Sequence, residues 1–307
     1  MPLYKKNSKD DPNNYRPISV LPVLSKLLER HVSNHFYEYL TVHDLITARQ
    51  SGFRPKHSCE SALHLAVEDW LEHMYKKEFV GILFVDFCKE FDLVNHKLLL
   101  QKLNLYQVHS ATFTWFTSYL SNRKQCVKVN SNMSTELEIQ SGVPQGSILG
   151  PLLFLIFIND LTMFKSLGKS SLFADDVTDS VHSSEIGKIE KELQGRISDV
   201  EEWCVANLMV LSVEKTKVML MGGKHKLASI PNSTNCLNIK AQERKIEQVQ
   251  NERLLGVQID NHLSWDEQVK KVKRTCLYSS YPFFVRFAII SLLMSEKCSS
   301  TTILNLT

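Results

Sequence analysis

Leu172-Phe173-Ala174-Asp175-Asp176-Val177 sets two adjacent acids inside an apolar run. Ionised carboxylates side by side repel one another, and taking them out of water is costly. A bound divalent cation is the usual compensation. A tight hairpin turn favoured by Asp is the structural alternative. A second stretch, Ile82-Leu83-Phe84-Val85-Asp86-Phe87, ends an apolar run on a third acid. Phe79 to Phe87, with its β-branched residues, has the signature of a central buried strand. Ser171–Ala174 and Val177–Val181 read as short strands on either side of the acid pair. Brought together in one sheet, the two segments would place three carboxylates around one or two Mg²⁺ ions. That arrangement suits phosphoryl and nucleotidyl transfer.

Outward from these segments, hydrophobic spacing predicts helices over Pro22–Leu40 and Cys59–Tyr75. Further helices are predicted at Asn95–Leu103, Ala111–Leu120 and Glu185–Ala206. Gln125–Asn130 and Glu136–Gln140 alternate as a hairpin would. Ser141–Gly146 reads as a loop, after which Ser147 caps a buried helix running to about Leu161. Lys217–Met221 and Leu254–Ile259 read as strands. The first 15 residues read as loop, Lys224–Asn251 as a connection that can hold one hairpin, and Trp265 onward as helix. Strands and helices mix without strict βαβ alternation, which predicts an α+β fold with helices on one face of the sheet.

The 307 residues carry 36 Lys and Arg against 33 Asp and Glu, so net charge names no partner. Its distribution says more. Gln101 to Asn130 holds the cations Lys102, Arg123, Lys124 and Lys128 and no acid, whereas Asp175 to Glu202 holds nine acids. A fold that segregates these would set a basic groove beside an acidic helix. Seven cysteines occur without a CxxC pair, so neither a zinc site nor a disulfide framework is suggested. The expected location is a reducing intracellular one, cytoplasm or nucleus, without secretion. Ile148 to Leu161, the most apolar run, is too short and too interrupted to span a bilayer.

The order of short blocks along the chain is the strongest signal. Asn14-Tyr15-Arg16-Pro17-Ile18-Ser19 precedes Leu24-Ser25-Lys26-Leu27-Leu28-Glu29-Arg30, and Gln50-Ser51-Gly52-Phe53-Arg54 follows. Next come Phe84 to His96 around Asp86, then Ser141-Gly142-Val143-Pro144-Gln145-Gly146-Ser147 with Asn159-Asp160-Leu161. Phe173-Ala174-Asp175-Asp176 follows, then Trp203, Asn207 and Lys215-Thr216, then Leu255-Gly256-Val257 with Leu263-Ser264-Trp265. A lone Asp-Asp is weak evidence, but seven blocks in this order are strong. The succession resembles the reverse transcriptases, most closely those of non-LTR (LINE-type) retrotransposons.

The resemblance implies a right-hand polymerase fold: partial fingers over 1–80, a palm over 81–225 with inserted fingers elements near 100–140, and a connection with truncated thumb over 226–307. It implies RNA-directed DNA polymerase activity, with an RNA template, a DNA primer and deoxynucleoside triphosphates as partners. It assigns Asp86 and Asp175 as ligands of two Mg²⁺ ions, which Mn²⁺ could replace, and Asp176 as a weaker ligand. Phe87, Phe91, Gln145 and Gly146 are expected at the nucleotide, with Phe91 crowding a ribose 2′-hydroxyl. Arg16 and Lys6 are expected on the triphosphate, Arg54 and Lys56 on template phosphate. Lys215 stands where a lysine protonates leaving pyrophosphate. Asp92 and His96 are expected as structural hydrogen-bond partners.

The sequence also departs from the family pattern. Glu90 stands where alanine is usual, Phe173 replaces the commoner tyrosine, and His57 and Cys59 replace a basic residue and a threonine. The resemblance fades beyond Thr275, and neither an endonuclease domain nor the upstream fingers segment precedes Met1. One alternative is therefore a catalytically inactive retroelement remnant that at most binds nucleic acid. An RNA-templated RNA polymerase is a second, opposed by the bulk of Phe91.

Overall fold

The computed structural model describes residues 2–4, 8–129, 131–231 and 236–278. Lys5 and Lys6 lie outside them. The chain falls into two compact units, Met1–Val249 and Gln250–Thr307.

The first unit is built on a five-stranded sheet. In spatial order its strands are Glu247–Gln248, Lys217–Met221, Phe79–Val85, Asp176–Ser183 and Ser171–Phe173. All neighbours are antiparallel except Lys217–Met221 with Glu247–Gln248. Phe79–Val85 is central and buried along almost its whole length, as its unbroken apolar run requires. Its odd-numbered face meets the helix Ile186–Asn207, whose Ile189, Leu193, Ile197 and Val200 are buried at helical spacing. Gly81 is what lets that helix lie so close. A Cβ there would come 2.2 Å from Ile189 Cγ2 and 2.9 Å from Leu193 Cδ1.

Around this core the helices Cys59–Tyr75, His96–Leu105 and Ser110–Leu120 fall close to their predicted bounds. Ser58 and Ser61 close a reciprocal cap on the first of these. The apolar run after Gly150 forms a helix to Ile158, with every residue but Pro151 buried, and then tightens into a 3₁₀ turn over Asn159–Met163. Ser147 Oγ accepts the Gly150 amide at 2.8 Å, but the N-cap position falls to Leu149, two residues on from the one predicted.

Five expectations are corrected. Helices lie on both faces of the sheet and not on one: Ile186–Asn207 covers the face of Gly81, whereas His73 of the helix Cys59–Tyr75 stacks on His182, which pairs with Val80 on the other face. Tyr15–Pro17 pairs with Pro2–Tyr4 in a short ladder where loop was predicted. Lys224–Ala228 adds a short helix to the predicted connection. Leu254–Ile259 is not one strand but the centre of a hairpin, Asn251–Leu254 with Val257–Asp260, within the second unit. Leu255 and Gly256 both take positive φ, 48° and 91°, and turn the chain inside what reads as a continuous apolar stretch. The helix Val23–Val42 forms as predicted, but Val23, Leu24, Leu27 and Leu28 on its first two turns are exposed, and only its far end delivers Phe36 and Leu40 to the core.

In the second unit the hairpin is followed by the helix Asp266–Tyr278. Asp260 organises the junction: its carboxylate accepts from the backbone N–H groups of His262, Ser264 and Trp265 and from Ser264 Oγ, at 2.9–3.0 Å. Those bonds outweigh burial and hold its carboxyl below the usual range. No helix among the described residues is long and apolar enough to cross a membrane.

Candidate active site

Strand register decides which acids meet. Val85 pairs with Val177 as the last pair of the antiparallel ladder, so Asp86 and Asp176 are the next residues beyond it at the same end, near enough for the charge of Asp86 to act on both Asp175 and Asp176. Asp176 pairs with Phe173, which leaves Ala174 and Asp175 as the two-residue turn of a tight hairpin. The structural alternative for Asp175-Asp176 is thus realised together with the convergence of the three acids. Beyond Val85 the strand runs on as an irregular bridge. Phe87 pairs with Leu211, Ser212 N–H donates to Asp86 O at 2.8 Å, and Cys88 N–H to Val210 O at 2.8 Å. This bridge carries Lys215 to the site, where its Nζ lies 3.0 Å from Asp86 Oδ1.

The electrostatics record crowding. Burial, then the charge of Asp176 and later Asp86, push the Asp175 carboxyl above its usual range. Asp176 is pushed up by desolvation, then by Asp86 and Glu90. Glu90 is raised too, by burial first and then by Asp175 and Asp86, and shares a hydrogen bond with Asp175. Lys89 takes a left-handed φ of 47°, and the turn returns Glu90 to the acids. Lys215 is opposed by partial burial but ends above the usual lysine range through its bond to Asp86.

The four acids offer only oxygen donors, the chemistry that Mg²⁺ and Mn²⁺ prefer. They stand wider than a closed metal site. Among the described residues, His73, Glu78 and His182 form the one three-residue group whose donor atoms all lie within 4.8 Å of one another. That group is at the opposite end of the central strand, where Val80 pairs with His182, and His73 and Glu78 are already joined at 2.7 Å.

Around the acids the other expected residues take defined places. Phe91 stacks on Phe154, centroids 4.5 Å apart, and meets Phe53 edge-on at 6.2 Å. Gln145 Nε2 donates to Asp92 Oδ1 at 2.9 Å, and its carbonyl accepts Ser19 N–H at 2.8 Å. Gly146 has φ +112°, and a Cβ there would lie 2.9 Å from Ser19 O. Arg16 is therefore three residues from a contact with this loop, on an exposed strand. His96 Nε2 donates to Gly142 O at 2.8 Å, so Asp92 and His96 both brace the loop as expected. Arg54 is half-buried, and its Nη1 donates to Thr47 O and Gln50 O. Lys56 is exposed with φ +67°.

Several supporting residues had no role assigned from the sequence. Buried Glu29 accepts from Tyr119 Oη and from Ile148 N–H, each at 2.8 Å, and ties the first helix to the start of the Gly150–Ile158 helix. Asn159 holds Thr47 N–H, Leu45 O and Tyr106 Oη. Asp160 accepts from Lys102 Nζ and from Trp203 Nε1 at 3.0 Å. Asp160 carries one available signal, an acid inside the apolar run Ile148–Leu161, whereas Glu29, among Lys26, Arg30 and His31, carries none.

The family described as "Reverse transcriptase (RNA-dependent DNA polymerase)" matches residues 4–259. The chain belongs to the reverse transcriptase family. Among similar curated proteins is the probable RNA-directed DNA polymerase from transposon BS of Drosophila melanogaster, 27% identical over 87% of this chain and 30% of that protein. The RNA-directed DNA polymerase from mobile element jockey of Drosophila funebris is 29% identical over 86% of this chain and 29% of its own length. The probable RNA-directed DNA polymerase from transposon X-element of Drosophila melanogaster is 37% identical over 54% of this chain and 19% of its own. The chain thus spans less than a third of each of these relatives. Among solved structures, apo telomerase from Candida tropicalis, truncated from its C-terminal domain, superposes with a TM-score of 0.52 at 13% identity, over 79% of this chain and 45% of that one. That likeness supports a reverse transcriptase fold of mixed α and β structure.

Proposed function

We propose that this chain is the polymerase core of a non-LTR reverse transcriptase, extending a DNA primer on an RNA template with deoxynucleoside triphosphates. The observation that carries the proposal is the ladder that ends at Val85–Val177, leaving Asp86 and Asp176 next beyond it with Asp175 in the adjoining turn. Residues 1–80 serve as partial fingers, 81–225 as palm and 226–307 as connection and thumb. Asp86 and Asp175 hold two Mg²⁺ ions, for which Mn²⁺ can substitute, and Asp176 assists. When bound, the ions acidify the primer 3′-hydroxyl and neutralise the triphosphate and leaving pyrophosphate. Phe87 lends backbone contacts beside the triphosphate. Gln145 and Gly146 present the loop between Asp92 and Ser19 to the incoming nucleotide, and Phe91, backed by Phe154, crowds a 2′-hydroxyl. Arg16 and Lys6 grip the triphosphate, and Arg54 and Lys56 face template phosphate. Lys215 gives a proton to the leaving group, a role its pairing with Asp86 supports.

Primer extension tests this. The purified chain with Mg²⁺ and primed RNA should incorporate deoxynucleotides, and Asp175→Asn should abolish incorporation while template binding persists. If the unmutated chain binds template and never extends the primer, the catalytic reading fails and the chain is a non-catalytic binder.

A further inference from the structure

The turn that carries Asp175 is made from an unfavourable residue. Ala174 is buried and adopts φ +57°, a left-handed conformation that glycine accepts readily and alanine does not. Such a conformation persists only where its surroundings over-determine it. Here they do, and through one side chain. Gln50 is 1% exposed. Its Oε1 accepts Ala174 N–H at 2.9 Å and Gly52 N–H at 2.7 Å, and its Nε2 donates to Ala174 O at 3.4 Å. One amide therefore engages both backbone polar groups of the strained residue.

The segment bearing Gln50 is itself fixed. Leu172 N–H donates to Arg49 O at 2.9 Å and Ser51 N–H to Leu172 O at 2.8 Å, so Gln50 lies on a parallel bridge at the edge of the Ser171–Phe173 strand. Asn159 Oδ1 accepts Thr47 N–H at 2.9 Å, and Arg54 Nη1 donates to Gln50 O at 3.0 Å. The approach is too close for any side chain at position 52: a Cβ on Gly52 would lie 2.1 Å from Ala174 N. Gln50 and Gly52 thus form one surface fitted to the Ala174–Asp175 turn.

We propose that Gln50 is a positioning residue that locks the Ala174–Asp175 turn and thereby fixes where the Asp175 carboxylate points. The proposal rests on the polymerase reading for its catalytic consequence, but the locking is a property of the protein alone. A small misplacement of a reacting group can cost about 100-fold in rate. Loss of the lock lowers kcat by about tenfold to 100-fold and leaves KM for nucleotide and affinity for template within about twofold.

The test compares the full chain with Gln50→Met, which keeps volume and loses every bond. Hydrogen exchange is followed at the amides of Gly52 and Ala174 and, as a fold control, along Phe79–Val85. Exchange at the two turn amides should quicken about tenfold or more in Gln50→Met and be unchanged along the central strand. The kcat loss should accompany the change at the turn. Should Gln50→Met also lose protection along the central strand, Gln50→Asn, one methylene too short to reach, decides by the same local readout. Unchanged turn exchange in a folded Gln50→Met or Gln50→Asn overturns the lock. So does a global loss of stability that lowers kcat and raises KM together without a local change. If the parent chain incorporates nothing, the polymerase reading fails while the exchange data still decide the lock.

Discussion

Neutralising Asp176 should make the protein more stable when divalent ions are absent and less responsive when they are present. Asp86 and Asp176 follow the last ladder pair, Val85–Val177, and burial and then the charge of Asp86 raise the Asp176 carboxyl; side chains in such neighbouring positions stand about 5 Å apart. Two unit charges at that distance repel by roughly 3 kcal/mol at an effective dielectric of 20 and by about 1 kcal/mol in bulk water. Asp176 is exposed, and Lys215 at 3.0 Å already offsets part of the charge on Asp86, so the aqueous end of that range applies. Asp176→Asn should then gain about 1 kcal/mol, which for a unit of this size raises Tm by about 2–4 °C. The assay is thermal unfolding in EDTA, repeated over a Mg²⁺ series. An ion at ten times its Kd adds about 1.4 kcal/mol, so rising Mg²⁺ should lift the parent more than the variant and close or reverse the gap. High monovalent salt should shrink the gap in EDTA. A variant that melts at or below the parent in EDTA refutes the repulsion argument.

Removing Arg196 should be costly, because its Nη1 holds both oxygens of Asp179, which is 1% exposed, at 2.9–3.0 Å. Arg196→Met should lose about 3–5 kcal/mol in urea unfolding at pH 7. Burial raises the Asp179 carboxyl despite the arginine; a carboxyl raised by folding binds its proton more tightly in the native state, so the deficit should narrow as pH falls through the folded pKa toward 4. Asp260 has the opposite sign: its lowered carboxyl stabilises the second unit above about pH 4, and that contribution is lost as pH falls through the depressed folded value. Asp260→Asn should cost about 1–2 kcal/mol, read as faster exchange at the amides of His262, Ser264 and Trp265. Phe91→Ala should improve ribonucleotide use by up to about 100-fold in single-nucleotide extension, with deoxynucleotide use changed far less.

Much of the frame was legible because the physics that writes it is local. The apolar run before Asp86 could hardly be anything but a central strand, and the bounds of the helix Cys59–Tyr75 followed from the spacing of Ala62, Leu63, Leu65, Ala66, Trp70 and Leu71, although Leu65 and Leu71 turn out exposed and Val67 buried in their place. The meeting of three acids was legible through the order of blocks, since no local feature states that Val85 will face Val177. What escaped was non-local or depended on backbone sign. Leu255-Gly256 turns because both residues take positive φ, which an apolar stretch conceals. The exposure of Val23, Leu24, Leu27 and Leu28 depends on which neighbours the first helix finds, not on its own periodicity. Gln50 reads as one polar residue in a loop; only the fold shows that its amide closes on a backbone 124 positions away.

Mn²⁺ binding followed by electron paramagnetic resonance addresses the joint claim about Asp86 and Asp175 most directly. The parent chain should bind the ion, and Asp86→Asn and Asp175→Asn should each weaken binding by at least about tenfold, whereas His73→Ala at the far end of the central strand should leave it unchanged. Binding that survives both aspartate substitutions, or that disappears with His73, would contradict the placement of the metal centre.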